Sequence, residues 1–466
     1  MSETLTRDLA HASAGALAAA VAARQVSAVE LTEAAIGRIE ALDGPINAVV
    51  VRDFDRARDQ ARAADAAVAR GERGALMGVP MTVKESHNVA GLPTTWGAEM
   101  FKGFIAPEDS VGVARLKAAG AIILGKTNVP PFLGDWQTDN PIHGRTNNPW
   151  DLARTPGGSS GGAAAALAAG MVALEFGSDI GGSIRIPAGY CGVYGHKPSF
   201  RLVPIRGHQP PGPTGGEGPP LVVVGPMART VADLELALGV LAGPEGLEAK
   251  GYRLDLKGPR RDRLGDYRVL VLDEHPNVPE LDDEIRAALH GLAANLAGLG
   301  AKVAFGSDLV PDLGAAQELY GRILGTALSR HGPPTPNPAS AVDWMTMLDS
   351  QSDFRRRWET VFETFDVVLC PTSACVAFPH DAHPDMGQRT LTINGKPAPY
   401  GSQMAWIGPA TLGNLPATAI PVGLTRAGLP ISLQVIGGYL EDRTILGFAG
   451  LVEQAFGGFT APGGRI

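Results

Sequence analysis

The stretch "VGVARLKAAGAIILG", residues 111–125, decides the class of fold. Its first part has the pattern of a helix that stops at Gly120, because glycine readily adopts the left-handed backbone that ends a helix. The apolar run that follows, from Ala121 to Leu124, predicts a short buried strand. A helix that leads directly into a buried strand is half of a parallel α/β unit. The stretch therefore predicts an α/β protein.

The same alternation recurs on both sides of this stretch. Upstream, Ser27 and Glu30 form a capping box ahead of a helix whose apolar residues share one face. Downstream, the segments "YRVLVLDE", "AKVAF", "FDVVLCP" and "PISLQVIG" predict strands, and residues 282–296 predict a helix. No repeat of fixed period and no long charge run interrupts the pattern.

Composition excludes several classes of protein. Hydrophobic residues make up 44% and charged residues 19% of the 466-residue chain, which argues against long disordered segments. The net charge of −8 gives no electrostatic footprint for nucleic acid, and no apolar run approaches the ~20 residues that cross a bilayer. Cys191, Cys370 and Cys375 form neither a disulfide framework nor a paired metal site, which fits a reducing compartment. We therefore expect no nucleic-acid partner, no membrane association and a cytoplasmic location.

Two segments have compositions that bear on the organisation of the chain. Residues 1–24 contain an Ala-rich run without the basic cluster of a signal peptide, so they predict an amphipathic first helix. Residues 206–220, "RGHQPPGPTGGEGPP", contain five prolines and five glycines. A domain linker or a surface loop near a site would both have this composition. We favour the loop, because α/β patterning continues on both sides.

The segment "GAIILGKT", residues 120–127, matches the phosphate-loop pattern G-x-x-x-x-G-K-[ST], which would make Lys126 a phosphate ligand. In a phosphate loop the strand comes first and a helix follows. Here the four intervening residues are themselves the strand, and the prolines of "TNVPPF" oppose a helix. We therefore expect no nucleotide at Lys126.

The segment "GGSSGGAAAALAAG", residues 157–170, contains G-x-S-x-G twice, around Ser159 and around Ser160. This motif is typical of the nucleophile elbow of α/β-hydrolases, but an elbow follows a strand, and the preceding "NNPWDLARTP" is rich in turn residues. The simpler interpretation is the glycine-rich start of a tightly packed helix, whose first N–H groups could hold an anion. A Ser-His-Asp hydrolase that uses Ser160 stays an alternative.

Lys84 ends a strand-like run, "GVPMTVK", residues 78–84. The period of two puts Lys84 on the face opposite Val79, Met81 and Val83. A lone lysine is normally a solvated surface charge, so this pattern alone leaves its role open.

Two consecutive glycines occur in the segment "SDIGGSIRIPAGYCGVYGHKPS", residues 178–199. Gly181 and Gly182 lack Cβ atoms, so their amides can approach a bound carbonyl oxygen closely, as an oxyanion hole requires. A plain tight turn would give the same pattern.

Taken together, "GVPMTVK", "GGSSGG" and "DIGGSIRIPAGYCGVYGHKPS" resemble the amidase signature family of serine hydrolases. The segments "LKAAGAIILGKTNVPPF", "HGRTNNPWDLARTPGGSSGG", "GPMARTVADLELAL" and "GNLPATAIPVGLTRAGLPISLQVIGG" are also similar to that family, so nearly the whole chain is covered. The resemblance implies one large α/β domain, with a mixed, twisted central sheet covered by helices on both faces. Residues 1–70 would form an N-terminal helical segment, 71–245 the signature core with the catalytic residues, and 246–466 the remainder with pocket elements.

The resemblance also implies a catalytic set. Ser183, the serine of "DIGGS", would be the nucleophile, Ser159 a serine held in a cis peptide, and Lys84 the base. Ser183 would attack an amide carbonyl while a neutral Lys84 takes its proton through Ser159, and water would then release the acid. The implied substrate is a small-molecule amide, although esters and carbamates present a similar carbonyl. No metal or organic cofactor is needed for this reaction.

A lysine base makes a physical demand on the fold. The reference pKa of lysine is about 10.4, so burial or neighbouring cations must lower the pKa of Lys84 toward ~7 to 8. With a lysine base, the histidines beside the motifs are expected to be structural or pocket residues: His87, His143 and His196.

The loop around the nucleophile has further implied roles. Its backbone amides are similar to the family's oxyanion hole, at Ile180, Gly181, Gly182 and Ser183. Loss of one such donor typically costs about 10²- to 10³-fold in rate. We expect Asp179 and Arg185 to pair with the backbone or with each other and so to hold the loop, although an incidental surface ion pair would look the same in sequence.

The motifs do not separate the family's members, which include aliphatic and aryl amidases, fatty acid amide hydrolases, peptide amidases and the glutaminase subunit of a tRNA-dependent amidotransferase. The glutaminase subunit usually has glutamine where this chain has Ile186, which favours a stand-alone amidase. Residues 130–136, with Phe132 and Leu133, and the loop around His208 are expected to line the substrate pocket. The resemblance also allows a homodimer.

Overall fold

The structure is a computed structural model that describes residues 10–212, 218–278, 280–329 and 338–463. Its strands are β1 (Val49–Arg52), β2 (Pro80–Lys84), β3 (Ile122–Thr127), β4 (Asp139–Asn140), β5 (Gly144–Arg145), β6 (Leu174–Asp179), β7 (Tyr194–Lys197), β8 (Val223–Ala228), β9 (Arg268–Val271), β10 (Lys302–Phe305), β11 (Val367–Pro371), β12 (Thr390–Ile393), β13 (Lys396–Pro399), β14 (Ala417–Leu424) and β15 (Pro430–Ile436). Its helices are α1 (Ala14–Ala22), α2 (Ala28–Ile46), α3 (Phe54–Ala69), α4 (Val111–Ala118), α5 (Gly161–Ala168), α6 (Arg185–Cys191), α7 (Val231–Leu241), α8 (Glu248–Gly251), α9 (Asp283–Gly298), α10 (Leu313–Ser329), α11 (Ala341–Thr364), α12 (Gln403–Leu412) and α13 (Asp442–Phe456).

One mixed sheet of 11 strands runs through the molecule in the order β1-β3-β2-β6-β8-β7-β14-β15-β11-β9-β10. Strand β2 is parallel to β3 and β6, and β9 is parallel to β10 and β11. The strands between β6 and β11 pair antiparallel. Helices flank this sheet, which confirms the predicted single α/β domain with a mixed central sheet. The division into 1–70, 71–245 and 246–466 stays a prediction, and its first part contains β1 as well as helices.

Local sequence signals explain where these elements begin and end. In the capping box of α2, the Ser27 Oγ accepts a hydrogen bond from the Glu30 N–H, and the Glu30 carboxylate accepts one from the Ser27 N–H. After α4, Gly120 has a φ of +94°, and a Cβ there would lie 2.7 Å from the Met77 Cα. Only glycine fits that turn, so the chain leaves the helix and enters β3.

The pairing of β2 with β6 creates the edge where the candidate site lies. Thr82 is opposite Glu175 and Val83 is opposite Phe176 in this parallel pair. The last residues of the two strands, Lys84 and Asp179, therefore meet at the same edge of the sheet. In open α/β sheets this carboxyl edge is where ligands bind.

The proline- and glycine-rich loop connects neighbouring strands. It leads from β7 to β8, which pair directly with each other, so it is not a linker between domains. Its first residues are bonded to the core, since the Val111 N–H donates to the Arg206 carbonyl at 3.0 Å. Residues 213–217 of the loop, and residues 1–9 ahead of α1, lie outside the described residues. Within the described ranges, no helix is both long enough and apolar enough to span a membrane.

Candidate active site

Lys84 is the last residue of β2 and is completely buried. Its Nζ donates to the Ser159 Oγ at 2.7 Å and to the Ser178 Oγ at 2.9 Å. Burial lowers the pKa of Lys84 to about 7, although the negative charges of Asp179 and Glu175 act in the opposite direction. A lysine with this pKa is neutral in a large fraction of molecules near pH 7, so it can accept a proton.

Ser159 lies in an irregular segment just ahead of α5. The peptide bond between Gly158 and Ser159 is cis. A Cβ at Gly158 would lie 2.4 Å from the Asp135 carbonyl oxygen, so the chain needs glycine there. The next residue joins this segment to the turn that carries Ser183, because the Ser160 N–H donates to the Ser183 carbonyl at 3.2 Å. The segment therefore lies between Lys84 and the loop that carries Ser183.

Ser183 lies in the turn between β6 and α6 and is 5% exposed. The preceding Gly182 has a φ of +80°, and a Cβ there would lie 2.9 Å from the Ile186 Cδ1 and 3.0 Å from the Ile407 Cγ2. Glycine is therefore required by both the backbone and the packing. This tight turn brings Ser183 to the carboxyl edge of the sheet.

A buried ion pair between Asp179 and Arg185 spans this turn. The two side chains are completely buried and are joined by two hydrogen bonds, of 3.0 and 3.1 Å. The Asp179 carboxylate also accepts from the Gly182 and Ile184 N–H groups. Burial alone would raise the pKa of Asp179, but Arg185 and these donors hold it below its usual value. Arg185 in turn donates to the side chains of Gln434 and Thr411, outside the turn.

The Gly182 amide has a partner within the turn. Its N–H donates to the Asp179 Oδ1 at 3.0 Å, a contact that competes with a substrate oxygen for this donor. That the amides of Ile180, Gly181, Gly182 and Ser183 form an oxyanion hole stays a prediction.

Two aromatic residues fix the direction of the peptide groups in this turn. The Tyr320 hydroxyl donates to the Ile180 carbonyl at 2.6 Å, and the Trp136 Nε1 donates to the Gly181 carbonyl at 2.8 Å. In a planar trans peptide the N–H points away from the carbonyl. Tyr320 therefore orients the Gly181 N–H, and Trp136 orients the Gly182 N–H toward Asp179.

The predicted pocket residues occupy different environments. Phe132 is 44% exposed and packs its ring in a T-shaped arrangement with that of Phe101, while Leu133 follows it in a short 3₁₀ turn. His208 is buried, with its Nε2 3.0 Å from the Ser86 Oγ. Burial lowers the pKa of His208 to about 3, and Lys84 contributes to this decrease. That these residues line the substrate pocket stays a prediction.

The side chains of Lys126 and Ser160, from the phosphate-loop and nucleophile-elbow motifs, make structural contacts. Lys126 is a buried residue inside β3, and its Nζ donates to the Thr94 Oγ1 at 2.8 Å and to the Pro93 carbonyl. Ser160 precedes α5 directly and is not preceded by a strand, so the geometry of a nucleophile elbow is missing. Its Oγ donates to the Ser178 carbonyl at 3.4 Å.

The histidines beside the motifs have structural environments. The ring of His87 stacks on Phe176 at 4.1 Å, and His196 lies within hydrogen-bonding distance of Asp442 and Thr418. His143 lies near the two-stranded β4–β5 ribbon, and burial lowers its pKa. Among the residues that the structure describes, no group of three or more His, Cys, Asp or Glu side chains could hold a metal ion.

Sequence reasoning missed two residues that contact the site. Ser178 accepts from Lys84, and the available signal was its hydroxyl next to Asp179 at the end of a strand. Tyr320 lies on α10, 140 positions from the carbonyl that it binds, and no local signal pointed to it.

A buried lysine, serines and a glycine turn thus lie together at the carboxyl edge of the parallel strands of a mixed α/β sheet. The model of the family named Amidase matches residues 30–324 and 314–446. The chain therefore belongs to the amidase signature family, which indicates a carbon–nitrogen hydrolase.

Similar proteins extend over nearly the whole chain. A glutamyl-tRNA(Gln) amidotransferase subunit of Anaeromyxobacter sp. (strain K) is 34% identical, over 95% of this chain and 96% of its own length. The putative amidase AmiB2 of Mycobacterium tuberculosis (strain CDC 1551 / Oshkosh) is also 34% identical, over 96% of this chain and 97% of its own. Among solved structures, a bacterial aryl acylamidase of the amidase signature enzymes superposes with a TM-score of 0.80 at 28% identity, over 96% of both chains.

Proposed function

We propose that the protein is a stand-alone amidase that hydrolyses a small-molecule amide to a carboxylic acid and an amine through an acyl-enzyme on Ser183. The observation that carries this proposal is the buried contact of 2.7 Å between the Lys84 Nζ and the Ser159 Oγ. A buried lysine with a pKa of about 7 is suited to act as a base, and a serine hydroxyl can both accept and donate a proton.

The reaction begins when the Ser183 Oγ attacks the amide carbonyl carbon. Its proton passes to the Ser159 Oγ while the Ser159 proton passes to the neutral Nζ of Lys84. The carbonyl oxygen becomes an oxyanion, for which we assign the N–H groups of Ile180, Gly181 and Ser183 as donors. These donors would stabilise the negative charge that develops there, and the Gly181 N–H among them is already oriented by the contact of Tyr320 with the Ile180 carbonyl.

Collapse of this intermediate breaks the carbon–nitrogen bond. The proton held by Lys84 returns through Ser159 to the leaving nitrogen, and a neutral amine departs. Water then attacks the acyl-enzyme, with Lys84 and Ser159 taking and returning a proton in the same way, and the acid leaves Ser183. An ester or a carbamate could enter the same sequence of steps, because each presents a similar carbonyl.

The second candidate function is that of a glutaminase subunit of an amidotransferase, and it is favoured by the name of the relative from Anaeromyxobacter. Ile186 supports the stand-alone amidase instead. It is completely buried, lies next to Gly182, and has no hydrogen-bonding group in its side chain, where the glutaminase subunit usually has glutamine. A cytoplasmic location is part of the proposal, supported by the three cysteines, which are free and buried.

The test is hydrolysis by the purified protein alone. A panel of aliphatic amides, anilides, glutamine, esters and carbamates is incubated with the wild type and with Ser183→Ala, and the released amine and acid are quantified. We expect the wild type, and not the variant, to hydrolyse simple amides without a partner protein. Hydrolysis of glutamine alone, or only together with a co-purified protein, would favour the amidotransferase function.

A further inference from the structure

A buried acid beside the lysine has no part in the steps above. Glu175 lies on β6 and is completely buried. Its Oε1 accepts from the Thr82 Oγ1 at 2.5 Å, and its Oε2 accepts from the Phe176 N–H at 3.0 Å. Burial of a charged carboxylate with only uncharged donors is costly, so burial favours the protonated form of such a group.

The sheet places this carboxyl on the side of Lys84. Thr82 and Lys84 are two residues apart on β2, so they point to the same face of the sheet. Glu175 is directly opposite Thr82 on β6 and points to that face as well, as their hydrogen bond requires. The two ionisable groups act on each other, since Glu175 raises the pKa of Lys84 and Lys84 lowers that of Glu175.

Thr82 can hold the carboxyl in either protonation state. A hydroxyl donates to a carboxylate and accepts from a carboxylic acid, so the contact survives loss or gain of the proton. Burial raises the pKa of Glu175 to about 7, while Thr82 and the Phe176 N–H oppose the rise. Glu175 and Lys84 therefore change charge over the same range of pH and titrate as a pair.

The other ionisable groups around Lys84 are already compensated or neutral. Asp179, the other carboxylate that acts on Lys84, is paired with Arg185 at 3.0 Å. Lys126 and Glu85 interact with each other. Burial lowers the pKa values of the imidazoles of His87 and His208. Lys197 interacts with Asp179 and lowers its pKa. Glu175 is thus the carboxyl whose own charge change reaches Lys84 without an arginine beside it.

We propose that Glu175 is a positioning residue that sets the protonation state of Lys84 through the charge of its buried carboxyl, with Thr82 holding that carboxyl in place. This inference rests on the proposed role of Lys84 as the base. It predicts that the pH at which the enzyme loses activity on the acid side depends on Glu175, although the carboxyl of Glu175 accepts from Thr82 and from the Phe176 N–H and not from Lys84.

The test is the pH profile of kcat/KM, and of the rate of labelling by a fluorophosphonate, for the wild type and Glu175→Gln. Glutamine keeps the shape but removes the negative charge that raises the pKa of Lys84. The acid limb should therefore move to lower pH, by about one unit. The matched control is Glu453→Gln, because Glu453 also accepts from a backbone N–H, that of Val231, and does not act on Lys84.

A second variant, Thr82→Val, tests the same inference if Glu175→Gln fails to fold. Thr82→Val removes the hydroxyl that lowers the pKa of Glu175, so the carboxyl keeps its proton to higher pH and the acid limb should move in the same direction by less than about one unit. An acid limb that stays in place in the folded variants, while Ser183 is still labelled, would overturn this inference alone. Absence of labelling at Ser183 in the wild type would instead overturn the proposed function.

Discussion

The Nζ of Lys84 and the Oγ of Ser159, 75 positions apart in the chain, lie 2.7 Å from each other in the buried interior. Strand β2 ends at Lys84, and the cis peptide ahead of α5 carries Ser159. A hydroxyl is thereby placed against an amine whose pKa burial lowers to about 7. Substitutions and pH profiles can decide whether this contact is used in catalysis.

Replacement of Lys84 should affect activity and stability differently. Lys84→Met keeps the length of the side chain and removes the amine, so kcat/KM should fall by at least about 10³-fold. The free energy of unfolding should not fall, because a buried amine is costly to desolvate. Activity and thermal unfolding are measured together.

Lys126→Met is the matched control for this replacement. Lys126 is also a buried strand lysine, but it donates to Thr94 rather than to a serine of the site. Its replacement should leave the turnover of the folded enzyme within about threefold of the wild type, because no proton of the reaction passes through it. An active Lys84→Met enzyme would exclude the lysine as base.

The rate should depend on pH in the direction that a neutral lysine requires. Because the pKa of Lys84 is lowered to about 7, kcat/KM should rise about tenfold per unit of pH below 7 and level off above it. The pH profile is recorded with a neutral substrate, so that the substrate does not titrate. A profile that is flat from about pH 5 to about pH 9 would contradict a base of this pKa.

Lys84 should also make the free energy of unfolding depend on pH. Its pKa is lower in the folded protein than the ordinary value of 10.5, so the unfolded chain binds more protons between about pH 7 and 10.5. The free energy of unfolding should therefore rise with pH through this window, as the cost of burying the charged Lys84 amine is removed, and should fall as pH falls toward 7. Denaturant unfolding of the wild type and Lys84→Met at several values of pH measures this difference. A difference that does not change with pH would show that the lysine titrates normally in the folded state.

The two adjacent serines should behave differently. Ser159→Ala removes the hydroxyl that bonds to Lys84 and should lower kcat by about 10²- to 10⁴-fold. Ser160→Ala removes only a long contact to the Ser178 carbonyl, so its activity should stay within about threefold of the wild type. Steady-state kinetics of both variants provide the comparison. If Ser160→Ala were inactive and Ser183→Ala active, the nucleophile would be that of an α/β-hydrolase elbow.

Asp179→Asn should impair both stability and turnover. The change leaves Arg185 buried without its counter-charge, which costs about 3–5 kcal/mol, and weakens the acceptors that hold the Gly182 and Ile184 amides. Unfolding by denaturant and kcat are measured on the same preparations. Asp366→Asn is the control, because Asp366 is a buried carboxylate that pairs with Arg268 outside the site. Normal stability and normal turnover in Asp179→Asn would show that Asp179 does not hold the loop.

The sequence predicted several of the elements, because the signals for them are local. The Ser27 capping box and the Gly120 stop each act within a few residues, and both are found in the structure. The order of the strands could not be predicted in the same way. It depends on pairings between distant segments, such as β14 lying between β7 and β15, which no local pattern encodes.

The candidate site was predictable only through the resemblance of its motifs to a family. Composition and spacing could not show whether Lys84 is a surface charge or a base. The burial of Lys84 and its hydrogen bond to Ser159 depend on the tertiary structure, which no local pattern encodes. The orientation of the Gly182 amide also depends on the tertiary structure. Two consecutive glycines fit an oxyanion hole or a plain turn, whereas the direction of the Gly182 amide is set by Asp179 and Trp136, whose side chains bind the backbone of the turn.

The most direct test of the central claim, that Ser183 is a nucleophile activated by Lys84 through Ser159, is labelling by a fluorophosphonate, followed by intact mass and peptide mapping. We predict a single adduct on Ser183 in the wild type, no adduct in Ser183→Ala, and slower labelling in Ser159→Ala and Lys84→Met. An adduct that persists in Ser183→Ala, or that maps to Ser160, would contradict the claim.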